Sequence, residues 1–240
     1  MQKITVDLVL RTLKKLYPNA KCSLDWTTPL ELLVATILSA QCTDKRVNIV
    51  TKFLFKKYRS PQEYVRVPVS ELERDIHSCG TYKMKTRAIQ ETCRTILRDF
   101  KGEVPRTMRE MLILRGVGRK TASIVLSTAY GLIEGIPVDT HCIRLSRRLG
   151  LTRQKEQGKI ETDLMKKTPR RDWAMLSHLL VAHGRSVCFA RSPKCSECVF
   201  KKTCPSSTSL RPAERATSLP SRERGIQGKL HLKKKRSSPS

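Results

Sequence analysis

Three patterns in the 240-residue chain bring chemically capable side chains to meaningful spacings. The first is MLILRGVGRKTAS at 111–123. It predicts a short helix ending at Gly116, a tight turn through Val117 and Gly118, and a second helix from Arg119. Glycines let backbone N–H groups approach a ligand closely. The new helix adds free donors and the positive end of its dipole, so residues 116–120 (Gly116, Val117, Gly118, Arg119, Lys120) form an anion site suited to a phosphate. Lys120 stands one residue into that helix, beside Arg119. Neighbouring positive charge and partial burial would favour its neutral amine, which is the nucleophilic form. The plainer role is phosphate binding, as for most lysines of a basic chain.

The second pattern is VDTH at 138–141, where Asp139 precedes a predicted helix over 140–149. Its plain role is an N-cap, and a capping carboxylate can still turn one oxygen outward. His141 is then a packed helix residue. The third is Cys188-x6-Cys195-x2-Cys198-x5-Cys204. Four thiolates can surround either a cubane cluster or a single zinc. Zinc sites usually pair two Cys-x2-4-Cys knuckles, and here only the central pair has that spacing. Arg191 and Lys194 lie within the first loop, placed to meet phosphate.

The elements that must position these residues read as helix after helix. Apolar periodicity predicts helices over about 4–17, 30–40, 43–58, 69–78, 84–100, 107–113, 119–131, 140–149, 157–167 and 170–183. Pro and Gly punctuate the connections, including Ser60-Pro61, Gly102, Pro105, Gly135 and Pro137. Ile4, Leu8, Leu13 and Leu16 share one face of the first helix. The apolar residues of 30–40 nearly encircle their axis, which predicts a buried central helix. No alternating strand pattern competes, so the fold class is all-α.

Lys and Arg number 48 against 21 Asp and Glu, a net charge of +27. That excess points to a polyanion, since each basic side chain seated on a phosphate releases counterions. Residues 205–240 hold eight Ser, four Pro and a net +7, and are expected to form a basic disordered tail. The nine cysteines are odd in number, with five scattered through helical segments, which argues for reduced thiols rather than a disulfide scaffold. No apolar stretch is long enough to span a membrane, and the first residues lack a secretory signal. The expected location is cytoplasmic, associated with the nucleoid if the source is prokaryotic.

LRGVGRKTASIVLSTAYG followed by VDTHCIRLSRRLGL resembles the helix–hairpin–helix DNA glycosylases, and among them the endonuclease III family. LLVATILSAQCTDKRVN at 32–48 and GEVP at 102–105 extend the resemblance over nearly all of 1–204. It implies two helical domains with a DNA-binding cleft between them: a six-helix barrel over 22–133, with the hairpin motif at about 108–130, and a cluster domain of 1–21 plus 134–204. It implies a [4Fe-4S] cluster on the four cysteines, with zinc the lesser alternative. It also implies that a monomer removes oxidised pyrimidines from duplex DNA and then cuts at the abasic site. Lys120 would be the nucleophile and Asp139 its acidic partner, while Gln41 would enter the duplex and Asp44 shape the pocket.

Three positions depart from the family pattern or bear on the alternatives. Arg115 replaces the proline common before Gly-Val-Gly. Thr81 stands where relatives offer an apolar wedge, leaving Tyr82 as a substitute. Lys120 argues against a monofunctional adenine mismatch glycosylase, and with Asp139 against a non-catalytic DNA-binding module.

Overall fold

The computed structural model describes residues 3–208, and every regular element among them is helical. The first helix, α1 (Val6–Leu16), is capped by Thr5, whose hydroxyl accepts from the Leu8 amide. It buries Val6, Val9, Leu10 and Leu13. The buried face therefore lies about one residue from the expected one: Leu8 is half-buried and Leu16 is exposed. Ile4, just before the helix, is buried as expected.

Helix α2 (Pro29–Leu38) starts at a capping box between Thr28 and Glu31 with Pro29 in its first turn. All of Leu32–Leu38 is buried, so this is the central helix that its apolar circumference predicts. Around it stand α3 (Asp44–Lys57), α4 (Pro61–Arg66), α5 (Val69–Ile76), α6 (Tyr82–Asp99), α7 (Met108–Met111) and α8 (Arg119–Ala129). Helix α4 is not among the expected elements. Ser60-Pro61 reads as a turn, yet Ser60 and Glu63 form a second capping box that opens a helix. The rest comprises α9 (Thr140–Arg148), α10 (Gln157–Lys167) and α11 (Trp173–Ser186).

Burial separates the chain into two hydrophobic cores. One is built from residues between Leu24 and Leu126, with α2 packed against α3, α6 and α8. The other joins Ile4–Leu13 to residues from Ile136 to Leu180 and to Phe200, with α11 against both α9 and α1. The two chain segments nearest the ends thus share one core. No described helix is long and apolar enough to cross a membrane. Of the expected tail, residues 205–208 continue the cysteine loop, and Ser207 is buried there. The remainder, 209–240, lies outside the described residues.

Candidate active site

The hairpin is tied to the first core at three points. Gly116 has φ +76°, and a Cβ there would stand 2.9 Å from the Ala88 Cβ, so both backbone and space demand glycine. Val117 is buried, and the Thr92 hydroxyl donates to the Arg115 carbonyl at 2.7 Å. That bond anchors the turn at Arg115. The first hairpin helix is shorter than expected. It ends at Met111, and tighter bonds from Ile113 N to Glu110 O and Leu114 N to Met111 O carry the chain into the turn. At the start of α8, Gly118 supplies no side-chain cap, so the first-turn N–H groups are left to solvent or an anion.

Lys120 is exposed, not partly buried. Its position in the first turn of α8 sends it out of the core and onto the wall of a pocket. Arg119 does not face a ligand freely, because its Nε donates to Glu161 at 2.9 Å. Glu161 is almost fully buried on α10, so this pair fastens the start of α8 to the second core. Toward an anion, Arg119 thus offers its backbone N–H.

Asp139 is the N-cap of α9, accepting from the Cys142 amide at 2.7 Å. Capping leaves it half-buried on the wall of a pocket of about 100 Å³ that Lys120 also lines. The structure thus brings together Lys120 from the first core and Asp139 from the second. Ser39, Asp44, His178 and Arg185 are among the other polar residues on the pocket wall. Arg185 donates to Asp44 at 2.7 Å, and the Ser23 hydroxyl donates to the same carboxylate oxygen. Burial pushes the Asp44 carboxyl up, but the Ser23 hydroxyl and the Arg185 guanidinium outweigh it and hold the group below its ordinary value, with Lys120 adding to the fall. Burial also lowers His178 and His141, favouring neutral rings. His141 is packed on α9 beside Arg144, whose Nη2 lies 3.1 Å from its Nδ1. Ser23, His178 and Arg185 carry no local sequence signal, since they reach the site only through tertiary packing.

Gln41 lies exposed just beyond α2 in the left-handed region, at φ 54°. Thr81, the residue before α6, is likewise exposed and left-handed, at φ 42°. Tyr82 is not a free substitute for an apolar wedge. Its ring is half-buried and packed on His77, with centroids 4.4 Å apart.

All nine cysteines are free thiols. Cys188, Cys195, Cys198 and Cys204 line one cavity of about 30 Å³, with no carboxylate on its wall. Among the described residues, no three of His, Cys, Asp or Glu converge tightly enough to hold a single ion. Arginines from α9 shape the loop. Arg148 Nη1 donates to the Phe189 carbonyl at 2.6 Å and lies 3.5 Å from the Cys188 sulfur, while Nη2 donates to the Ala190 carbonyl at 2.9 Å. Arg144 donates to the Cys188 carbonyl. Burial raises Cys198 and Cys204, and the neighbouring thiols of the set add to the rise in both. Four soft donors around one cavity, with an Arg148 N–H on the Cys188 sulfur, suit a thiolate-held group. Arg191 and Lys194 are exposed on this loop, and Lys194 reaches Glu197 at 3.4 Å.

The helical frame and its hairpin define the class: the HhH-GPD superfamily base excision DNA repair protein family matches residues 34–170. Endonuclease III of Synechocystis is 52% identical over 82% of this chain and 90% of its own length. That of Bacillus subtilis is 46% identical over 83% and 91%. A solved non-covalent endonuclease III–DNA complex superposes with a TM-score of 0.81 at 44% identity, covering 85% of this chain and 96% of that one. A trapped covalent endonuclease III–DNA intermediate gives the same score and identity, over 85% and 97%. The chain belongs to the endonuclease III family.

Proposed function

We propose that this chain is a bifunctional DNA glycosylase and AP lyase that removes oxidised pyrimidines from duplex DNA in base excision repair. The observation that carries this reading is the opening of Lys120 and Asp139, from different cores, onto one pocket. The cores correspond to two domains, 22–133 and 1–21 with 134–204, and DNA occupies the cleft between them. The first-turn amides of α8, with Gly116–Lys120, hold a backbone phosphate.

With its damaged base extruded, the nucleotide lies against Lys120 in the pocket. The neutral amine attacks C1′, the glycosidic C–N bond breaks, and the base leaves with its electron pair and takes up a proton. Asp139 stabilises positive charge at C1′ and accepts the proton that the lysine releases. The C1′–O4′ bond then opens, O4′ takes up a proton, and the resulting imine acidifies the C2′ proton. Its removal expels the 3′ phosphate by β-elimination, and water then frees Lys120. Gln41 fills the gap in the stack, and Arg191 and Lys194 add phosphate contacts.

Cys188, Cys195, Cys198 and Cys204 would hold a [4Fe-4S] cluster. When bound, the group supplies iron–thiolate bonds that fix the loop carrying Arg191 and Lys194.

Borohydride trapping tests the reading. Duplex DNA containing an oxidised pyrimidine or an abasic site should yield a covalent adduct that disappears in Lys120→Ala. Absence of an adduct with the unmodified protein on both substrates overturns it. The anaerobically purified protein should contain about four irons; one zinc and no iron overturns the cluster assignment.

A further inference from the structure

Two loops of the first core are joined through one side chain. One follows α2 and carries Gln41; the other precedes α6 and carries Thr81. Each holds its non-glycine residue in the left-handed region, a conformation that persists only where the surroundings over-determine it. The backbone bonds tie each loop to its own helix. In the first loop, Ala40 N donates to Ile37 O and Cys42 N to Ser39 O. In the second, Gly80 N donates to His77 O, and the Thr81 carbonyl accepts from Met84 N and Lys85 N of α6.

Between these loops lies Lys85 of α6, only 4% exposed. Its ammonium donates to the Leu38 carbonyl at 2.8 Å and to the Cys79 carbonyl at 2.8 Å. Leu38 is the last residue of α2, and Cys79 ends the 3-10 turn His77–Cys79. Both acceptors are C-terminal carbonyls, where the helix dipole favours a cation. Burial lowers Lys85 from the ordinary lysine value, with the Cys42 and Cys79 thiols opposing. A buried ammonium is costly, and a methionine would fill the space without that cost. The two bonds are what methionine could not make.

We propose that Lys85 is a positioning residue for base extrusion. It clamps the Gln41 loop to the Thr81 loop, so that both enter the duplex as one unit. This rests on the glycosylase reading. The clamp matters more here because Thr81 is small and Tyr82 is held against His77, leaving Gln41 to rely on a fixed loop.

The test uses the full-length protein and two substrates under single-turnover conditions. One is a duplex with a paired thymine glycol and 2-aminopurine beside it. The other is single-stranded DNA with a preformed abasic site, which needs no extrusion. For Lys85→Met, base excision and the 2-aminopurine fluorescence rise should fall about ten-fold or more, since small misplacements are heavily penalised. Cleavage of the single strand should change less than about two-fold, because Lys120 and Asp139 are untouched. Lys85→Gln keeps a donor for one carbonyl and is read in the same way should Lys85→Met fail to fold. If either folded variant slows both substrates equally, or neither, Lys85 only supports the core and the clamp is wrong. If the unmodified protein acts on neither substrate, the glycosylase reading itself has failed and the clamp falls with it.

Discussion

The hairpin and the cysteine loop both set basic side chains beside a helix, and they use them in opposite ways. At the hairpin, Arg119 is tied to Glu161, but the start of α8 has no side-chain cap and Lys120 is exposed on the pocket wall. At the loop, donors are spent: the two terminal nitrogens of Arg148 bond consecutive loop carbonyls, and Arg144 bonds a third. Spent donors hold a shape, whereas open ones await a partner. A net charge of +27 says nothing about this division; the hydrogen-bond partners do.

The largest effect expected from this contrast is on activity. Lys120→Ala should reduce borohydride trapping and strand cleavage by about 10³-fold or more. Its thermal midpoint should barely move, since an exposed side chain contributes little to stability. A large fall in midpoint would break the contrast. Next comes Arg148→Met, which removes the donors to the part-buried Phe189 carbonyl and the exposed Ala190 carbonyl and should cost about 1–2 kcal/mol in urea unfolding. An unchanged urea midpoint would mean that these donors are dispensable. Gly116→Ala is comparable, about 1–2 kcal/mol, from its positive φ and the contact with Ala88.

The smallest effect is a pH dependence. The Asp44 carboxyl is held below its ordinary value, so its bond to Arg185 contributes fully above that ordinary value and is lost as pH falls through the lower one. The midpoint gap between the unmodified protein and Asp44→Asn should be widest near neutrality and close in acid. A gap that widens on acidification contradicts the pairing.

Much of this frame is legible in the sequence because helices announce themselves locally. The all-α class, the buried circumference of α2 and the start of α8 at Arg119 follow from periodicity and turn residues. Helix α4 was also legible in principle, since Ser60-Pro61 with Glu63 is a helix-start signal, but the proline outweighed it. Other features were not local. The exposure of Lys120, the capture of Arg119 by Glu161 and the arrival of Arg185 at Asp44 depend on how the two cores meet. The burial of Lys85 depends on the convergence of two loops within the first core.

The docking of α1 has a temporal consequence. Lys14 pairs with Asp172 and the Tyr17 hydroxyl meets His183, so this helix finds its place only after more than 150 further residues are made. The first core needs nothing beyond Tyr130 and can close during synthesis. Until α11 emerges from the ribosome, α1 lacks the helix it packs against. An unfinished chain thus folds its hairpin before the second core exists to hold Asp139 against it.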